Sequence, residues 1–391
     1  MSRWMLSKLA LREGDLDAAV EHLQAATELF PSPEAALFAD YPVNASCPHH
    51  DHHPVKAAHI ELGILLVAVD RPSEALQAFL QGGDWLDAAW VAERLLSTQE
   101  LIEFVERWFP ERQPTSLNGN HGAVHDLLDG QDLPASQVPA STRHLLARRL
   151  AREGRWPEAL PYFPLEVSWD ASRVAEGLRR GEDPSLSEDE RGTAKWEAAF
   201  RMKRSGWELL ATEMEPDFRV LRGWYQGADT RGLRLGEPDE EPASWLTEDE
   251  VLAQRVLHPS AAERSRLEAH GPPNEHRYHF VWTAHDLAWE AVNLMADDNP
   301  ALEQALCTGG AWQRNRDPAS AQRFLDQLQT RRPESALARG RFEPLTEEGL
   351  CAVVSPPERA GGCASGPRSA GWLALLLAGL GVVLRRHAAA A

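Results

Sequence analysis

The sequence predicts an all-α chain of paired helices that ends in an apolar, membrane-seeking segment. Three observations lead there. The phrase Gly14-Asp15-Leu16-Asp17-Ala18-Ala19 returns as Gly83-Asp84-Trp85-Leu86-Asp87-Ala88-Ala89, and Gly154-Arg155-Trp156-Pro157-Glu158-Ala159 is a third version. It reads as the turn of a helical hairpin: Gly or Asp ends one helix, and a small Ala shortly after lets the next pack closely against it. Runs of alternating Val, Ile and Thr are absent, so no sheet is expected. Finally, Ser369 to Leu384 carries no charge and is followed at once by Arg385, Arg386 and His387.

Bulk composition narrows the function classes. With 43% hydrophobic and 25% charged residues, the 391-residue chain has the make-up of a globular protein and is long enough for two or three domains. Its formal charge of −19 argues against nucleic acid as a partner, because phosphate neutralisation needs a basic face. Four cysteines are too few for a disulfide scaffold. Cys307 and Cys351 could pair outside the cell, but spacing alone does not show it, and a buried free Cys307 is the preferred reading. Fourteen Trp against four Tyr suit rings that fill hairpin cores.

Over longer windows the phrases share one register. It resembles the 34-residue tetratricopeptide pattern, with a small residue at position 8, a turn residue at 15, Ala at 20, a large apolar residue at 24, a small one at 27 and Pro at 32. Gly14, Ala19, Leu23, Ala26 and Pro31 occupy 15, 20, 24, 27 and 32 in a first copy. Leu62, Gly63, Ala75, Phe79 and Gly82 occupy 7, 8, 20, 24 and 27 in a second. Leu146, Ala147, Gly154, Ala159 and Phe163 fit 7, 8, 15, 20 and 24; Gly309, Ala321, Leu325 and Pro333 fit 8, 20, 24 and 32. The resemblance implies an α-solenoid of helical hairpins whose concave face binds other proteins.

It also implies which side chains face the partner. First-helix positions 2, 5, 9, 12 and 13 of such repeats line the concave surface. Those positions hold Trp4, Lys8 and Arg12 in the first copy, His144, Arg148 and Arg152 in the third, and Gln313 and Arg314 in the last. In so acidic a chain this basic excess suggests a groove for acidic peptide segments or a free C-terminal carboxylate. The second copy departs, with Ile60, Ile64, Val67 and Ala68 there.

Along the chain, residues 1–112 read as a first block of repeats with a Pro-bounded loop inserted at 41–54, and residues 113–142 read as a linker. A second block covers 143–345. Within it lie an acidic turn at Gly181–Glu190, a capping-box pair in Ser187 and Glu190, a helical run at Ala194–Ala211, and polar loops at Gln226–Pro242 and His270–Asn274. Residues 346–368 form a Pro- and Gly-rich linker, and 369–387 the membrane segment.

At ~1.5 Å rise per residue the uncharged run reaches about 24 Å, close to spanning. Gly362-Cys363, the small-residue spacer, the short apolar helix and the terminal arginines resemble the myxobacterial C-terminal sorting signal. That resemblance implies cutting by a membrane protease near Cys363, which becomes the lipid-anchored end at the cell surface. A simple tail anchor is the alternative. Arg385 and Arg386 place the tail inside and the body outside. An exported body needs a leader, and Met1 to Ala10 has no apolar core, so the true start is expected upstream.

Little catalytic chemistry is visible. The cluster His49, His50, Asp51, His52 and His53 after Cys47 has the ligand types that suit zinc, copper or nickel; a solvated linker is the competing reading. Glu275, His276 and His279, near His285 and Asp286, offer an i, i+3 His pair but not the His-Glu-x-x-His order of zinc proteases. No Gly-rich phosphate loop, Gly-x-Ser-x-Gly elbow or nucleophile–base set stands out. The expectation is a surface-tethered protein-interaction scaffold without catalytic residues or cofactor, with a metal-binding surface protein as the alternative.

Overall fold

Helix turns and caps organise the chain. A computed structural model describes residues 2–29, 54–111, 137–219, 259–271, 276–339, 342–343 and 351–353. Helices α1 (Ser2–Glu13) and α2 (Leu16–Glu28) turn through Gly14 at φ +80°, and the Asp15 carboxylate caps α2 by accepting from the Ala18 N–H. Helices α3 (Pro54–Ala68) and α4 (Pro72–Gly82) form the next pair. Gly83, at φ +81°, leads into α5 (Trp85–Trp90), which continues as a π-turn over Val91–Leu95. Both glycines sit in the left-handed region that side chains avoid, which is why the recurring phrase opens on Gly. Gly154 repeats it at φ +76°.

Small residues sit where paired helices cross. Ala19 and Ala75 are fully buried. Ser7 Oγ donates to the Ala19 carbonyl at 2.8 Å, tying α1 to α2. A Cβ on Gly63 of α3 would lie 2.7 Å from the Phe79 ring of α4, so no larger residue fits without displacing that ring.

After α6 (Thr98–Trp108), the long helix α7 (Val138–Arg152) begins inside the stretch expected to be a linker, with Pro139 in its first turn, where a missing N–H costs nothing. Pro54 likewise opens α3 rather than closing a loop. The third register copy departs from a full hairpin. Its second helix, α8 (Trp156–Ala159), stops after four residues and tightens into a 3-10 turn over Leu160–Tyr162. Pro161 and Pro164 explain the stop, since neither can donate a helical hydrogen bond.

Helices α9 (Leu165–Gly181) and α10 (Glu188–Arg204) pack as a pair, the second opened by the expected Ser187–Glu190 capping box. A second capping box, Ser97–Glu100, opens α6. A short helix α11 (Gly206–Leu209) and an irregular run to Arg219 follow, then α12 (Ala261–Ala269). Helix α13 (His279–Leu294) packs on α10, α14 (Leu302–Gln313) packs on α13, and α15 (Pro318–Arg331) closes a last hairpin with α14. In that hairpin the ring over Gly309 and Gly310 is Phe324; Leu325, the residue expected there, is only half-buried.

The described secondary structure is helical except for one short pairing of Phe342–Glu343 with Ala352–Val353. Cys307 of α14 is disulfide-bonded to Cys351, with Cα atoms 6.1 Å apart, rather than a free thiol. Trp85, Trp90, Trp156, Trp196 and Trp312 are buried as core-filling rings, whereas Trp169 is exposed with the Arg201 guanidinium 4.2 Å from its ring centre. Met1–Ala352 forms one compact unit. Among the described residues no helix is long and apolar enough to cross a membrane; the segment 369–387 lies outside them.

Candidate functional site

Three of the residues expected on an open groove, His144, Arg148 and Arg152, converge instead on the inside of the molecule. Helix α7 is buried from Ala140 to Ala151 on all its faces. A helix so enclosed has to satisfy its polar side chains internally, because an unpaired buried charge is strongly destabilising. It does so by capturing the irregular segments around it.

Five polar side chains of α7 reach carbonyls or carboxylates outside the helix, with Arg148 and Arg152 sharing the Ala211 carbonyl; His144 Nδ1 and Arg148 Nη1 have no hydrogen-bond partner among the described residues. Arg143 donates to the Phe109 carbonyl at 2.7 Å and the Pro161 carbonyl at 3.0 Å. His144, fully buried, donates through Nε2 to the Glu208 carbonyl at 2.6 Å. Arg148, also fully buried, donates through Nε to the Ala211 carbonyl at 2.9 Å and is ion-paired with Glu213. Arg149 reaches the Ala92 carbonyl at 2.6 Å. Arg152 donates to the Ala211 carbonyl at 2.9 Å and pairs with Glu93 at 2.5 Å. Five side chains on one helix thus hold the π-turn after α5, the end of α6, the turn after α8 and the run from Glu208 to Glu213.

The electrostatics follow from this enclosure. Burial pulls the Arg148 guanidinium down to about 10, with Glu213 opposing the shift, so it stays charged at neutral pH. Burial, with the Arg148 charge, holds the His144 imidazole well below its ordinary range. Burial raises the Glu93 carboxyl, but the charges of Arg152, Arg149 and Arg148 outweigh it and the net shift is downward. Nearby, Asp217 is buried, takes the Thr212 and Tyr278 N–H groups at 3.2 and 2.7 Å, and pairs with His279 Nδ1 at 2.8 Å.

The other expected groove residues divide. Trp4 donates to Glu61 at 2.6 Å and Lys8 pairs with the same carboxylate at 2.7 Å, so both fasten α1 to α3. Gln313 is fully buried. Arg12 and Arg314 are exposed. The expected groove residues are not brought to one open face: His144, Arg148 and Gln313 are enclosed, Arg152 is engaged by Glu93, and Lys8, Arg12 and Arg314 are exposed.

The Glu275–His279 cluster does not converge. Glu275 lies outside the described residues, His276 stacks on Trp282 with ring centres 4.7 Å apart, and His279 goes to Asp217. His285 meets the Gly309 carbonyl at 3.0 Å. Among the described residues no group of three His, Cys, Asp or Glu side chains is placed to hold a metal. His49, His50, Asp51, His52, His53 and Cys363 lie outside the described residues.

The acidic partners of the hub are absent from the sequence reading. Glu93 and Glu213 carry a usable signal: each stands in an apolar run, Trp90-Val91-Ala92-Glu93 and Leu210-Ala211-Thr212-Glu213-Met214, where a lone carboxylate implies a buried counter-charge. No family model matches the chain, and neither a curated protein nor a solved structure is significantly similar to it.

Proposed function

We propose that the protein is a non-catalytic interaction scaffold built from tetratricopeptide-like helical hairpins and tethered to a membrane at its C-terminus. The observation that carries the reading is the repeated crossing of small side chains. Ser7 over Ala19, Gly63 under Phe79, and Gly309 under Phe324 each bring two antiparallel helices close together. Stacked hairpins of this kind present extended surfaces, which is how such arrays bind other polypeptides.

The Cys307–Cys351 disulfide supports an exported body, because such bonds persist in oxidising compartments. The uncharged run Ser369–Leu384 and the Gly362-Cys363 pair remain the basis for the tether and for cutting by a membrane sorting protease. Partner recognition cannot run through Arg148 and Arg152, which are engaged internally. The exposed side of α1, with Met5 60% and Leu9 50% accessible beside Arg12, is the surface to probe.

Two experiments test this. The full chain, purified from envelope extracts, is expected to bring down one defined protein that rebinds as a purified component. Met5→Asp with Leu9→Asp should weaken that rebinding at unchanged helix content. A chain with no reproducible partner contradicts the scaffold. Protease shaving of intact producing cells should release the body, and full protection in a soluble cell fraction contradicts the exported tether.

A further inference from the structure

A cavity of about 270 Å³ opens beside the arginine hub. Its wall is formed by the π-turn after α5, the C-terminal end of α7 and the end of α12. The lining is polar and charged, with Arg94, Arg149, Arg152, Glu93, Glu153 and His270 among it.

The two carboxylates of this wall are already taken. Glu93 pairs with Arg152 through Oε2 and accepts the Glu213 N–H through Oε1 at 3.2 Å. Glu153 accepts from Thr98 Oγ1 and pairs with Arg155 at 3.1 Å. Arg94 and Arg149 are left with neutral partners: Arg94 donates to the Glu215 carbonyl and Arg149 to the Ala92 carbonyl. Glu153 stays 4.0 Å from the Arg149 Nε. A buried guanidinium group, Arg149, and a partly buried one, Arg94, thus share a cavity with no carboxylate in hydrogen-bond contact among the described residues.

Burial lowers both guanidinium groups, the charge of Glu93 opposes the shift, and the Arg152 charge adds to it.

We propose that this cavity binds a small oxyanion, a phosphate or a compact carboxylate, held chiefly by Arg94 and Arg149. The chemistry favours that class because a guanidinium fork matches the two-oxygen edge of phosphate and carboxylate. Size favours a compact ligand, since the cavity lies below the range of about 300–1,000 Å³ that takes drug-sized molecules. The anion would add hydrogen-bonding oxygens to two guanidinium groups that have only carbonyl acceptors in contact, and binding it would stabilise the packing of α7 against the π-turn.

Calorimetric titration of the full chain in a chloride buffer, with inorganic phosphate in one arm and succinate in another, tests the proposal. Saturable binding is expected in at least one arm, and which arm responds distinguishes the two ligand sources. Arg94→Gln should weaken the binding by about tenfold or more, as for the loss of a charge-assisted hydrogen bond. Ala269→Glu leaves both arginines in place and puts a competing carboxylate at the exposed rim of the cavity; it should weaken binding in a chain that still folds. Absence of saturable binding in both arms, or equal affinity in the native chain and Ala269→Glu, overturns the proposal.

Discussion

The hairpins at the N-terminus and the long helix α7 solve the same packing problem in opposite ways. Helices α1 to α4 meet through small side chains and apolar rings: Ala19, Ala75 and Phe79 are all buried there, and the ion pair of Lys8 with Glu61 is a partly exposed addition. Helix α7 is enclosed more completely, yet it carries Arg143, His144, Arg148 and Arg149 into the interior. Regular neighbours need only shape, because helices satisfy their own backbone groups. Irregular neighbours expose carbonyls, and side chains with several donors are the means of pairing them. The comparison explains why arginines cluster where the repeat pattern breaks down.

The largest effect expected to sharpen this contrast is at Arg148. Arg148→Ala should destabilise the protein by about 3–5 kcal/mol, because it leaves the buried Glu213 carboxylate with only the more distant Arg219, at 3.7 Å, among the ion-pair partners described. Arg148→Met combined with Glu213→Leu should recover much of that loss in urea unfolding monitored by circular dichroism. A double variant no more stable than the single one would show that the ion pair is not what matters there.

A smaller loss is expected from reducing the Cys307–Cys351 bond, which closes a loop across 44 residues. Stability should fall by about 2–4 kcal/mol, read as a lower thermal midpoint in the presence of a thiol reductant. The apolar hairpins should respond to volume instead of charge. Gly63→Val forces methyl groups into the Phe79 ring and should cost about 1–3 kcal/mol in the same unfolding assay.

Acidity should touch both regions. Burial pulls His59 of α3 down to about 4, and burial with the Arg148 charge pulls His144 well below its ordinary value. Unfolding lets both titrate near ~6.5, so below that pH the unfolded chain binds more protons than the folded one. Their contribution is fully present above the unfolded value and is lost as pH falls toward 4. The urea midpoint should therefore drop across that window, and His59→Leu should flatten part of the slope.

Local turn chemistry was the legible part of the fold. Gly14, Gly83 and Gly154 announce left-handed turns because few other residues tolerate them, and Ser187 with Glu190 announces a helix start within four residues. Pro161 and Pro164 stop α8 after four residues, whereas the register of Gly154 and Ala159 pointed to a longer helix. The Phe324-for-Leu325 difference is the same kind of error: one residue of phase rotates a different side chain onto Gly309.

The candidate site was hardly legible at all. Arg148 and Glu213 are 65 residues apart, and no periodicity links two charges at that distance. Read on α7 alone, His144, Arg148 and Arg152 form a basic stripe that looks solvated. Only the return of Glu208–Glu213 over that stripe turns it into a core.

Backbone hydrogen exchange on the full chain tests the enclosed-hub account most directly. The amides of α7 from Thr142 to Ala151 and those of Leu209 to Phe218 should open together, in the slowest-exchanging class of the protein, and Arg148→Ala should release both at once. Rapid exchange of Leu209 to Phe218 beside a protected α7, or an α7 as open as α1, would contradict it.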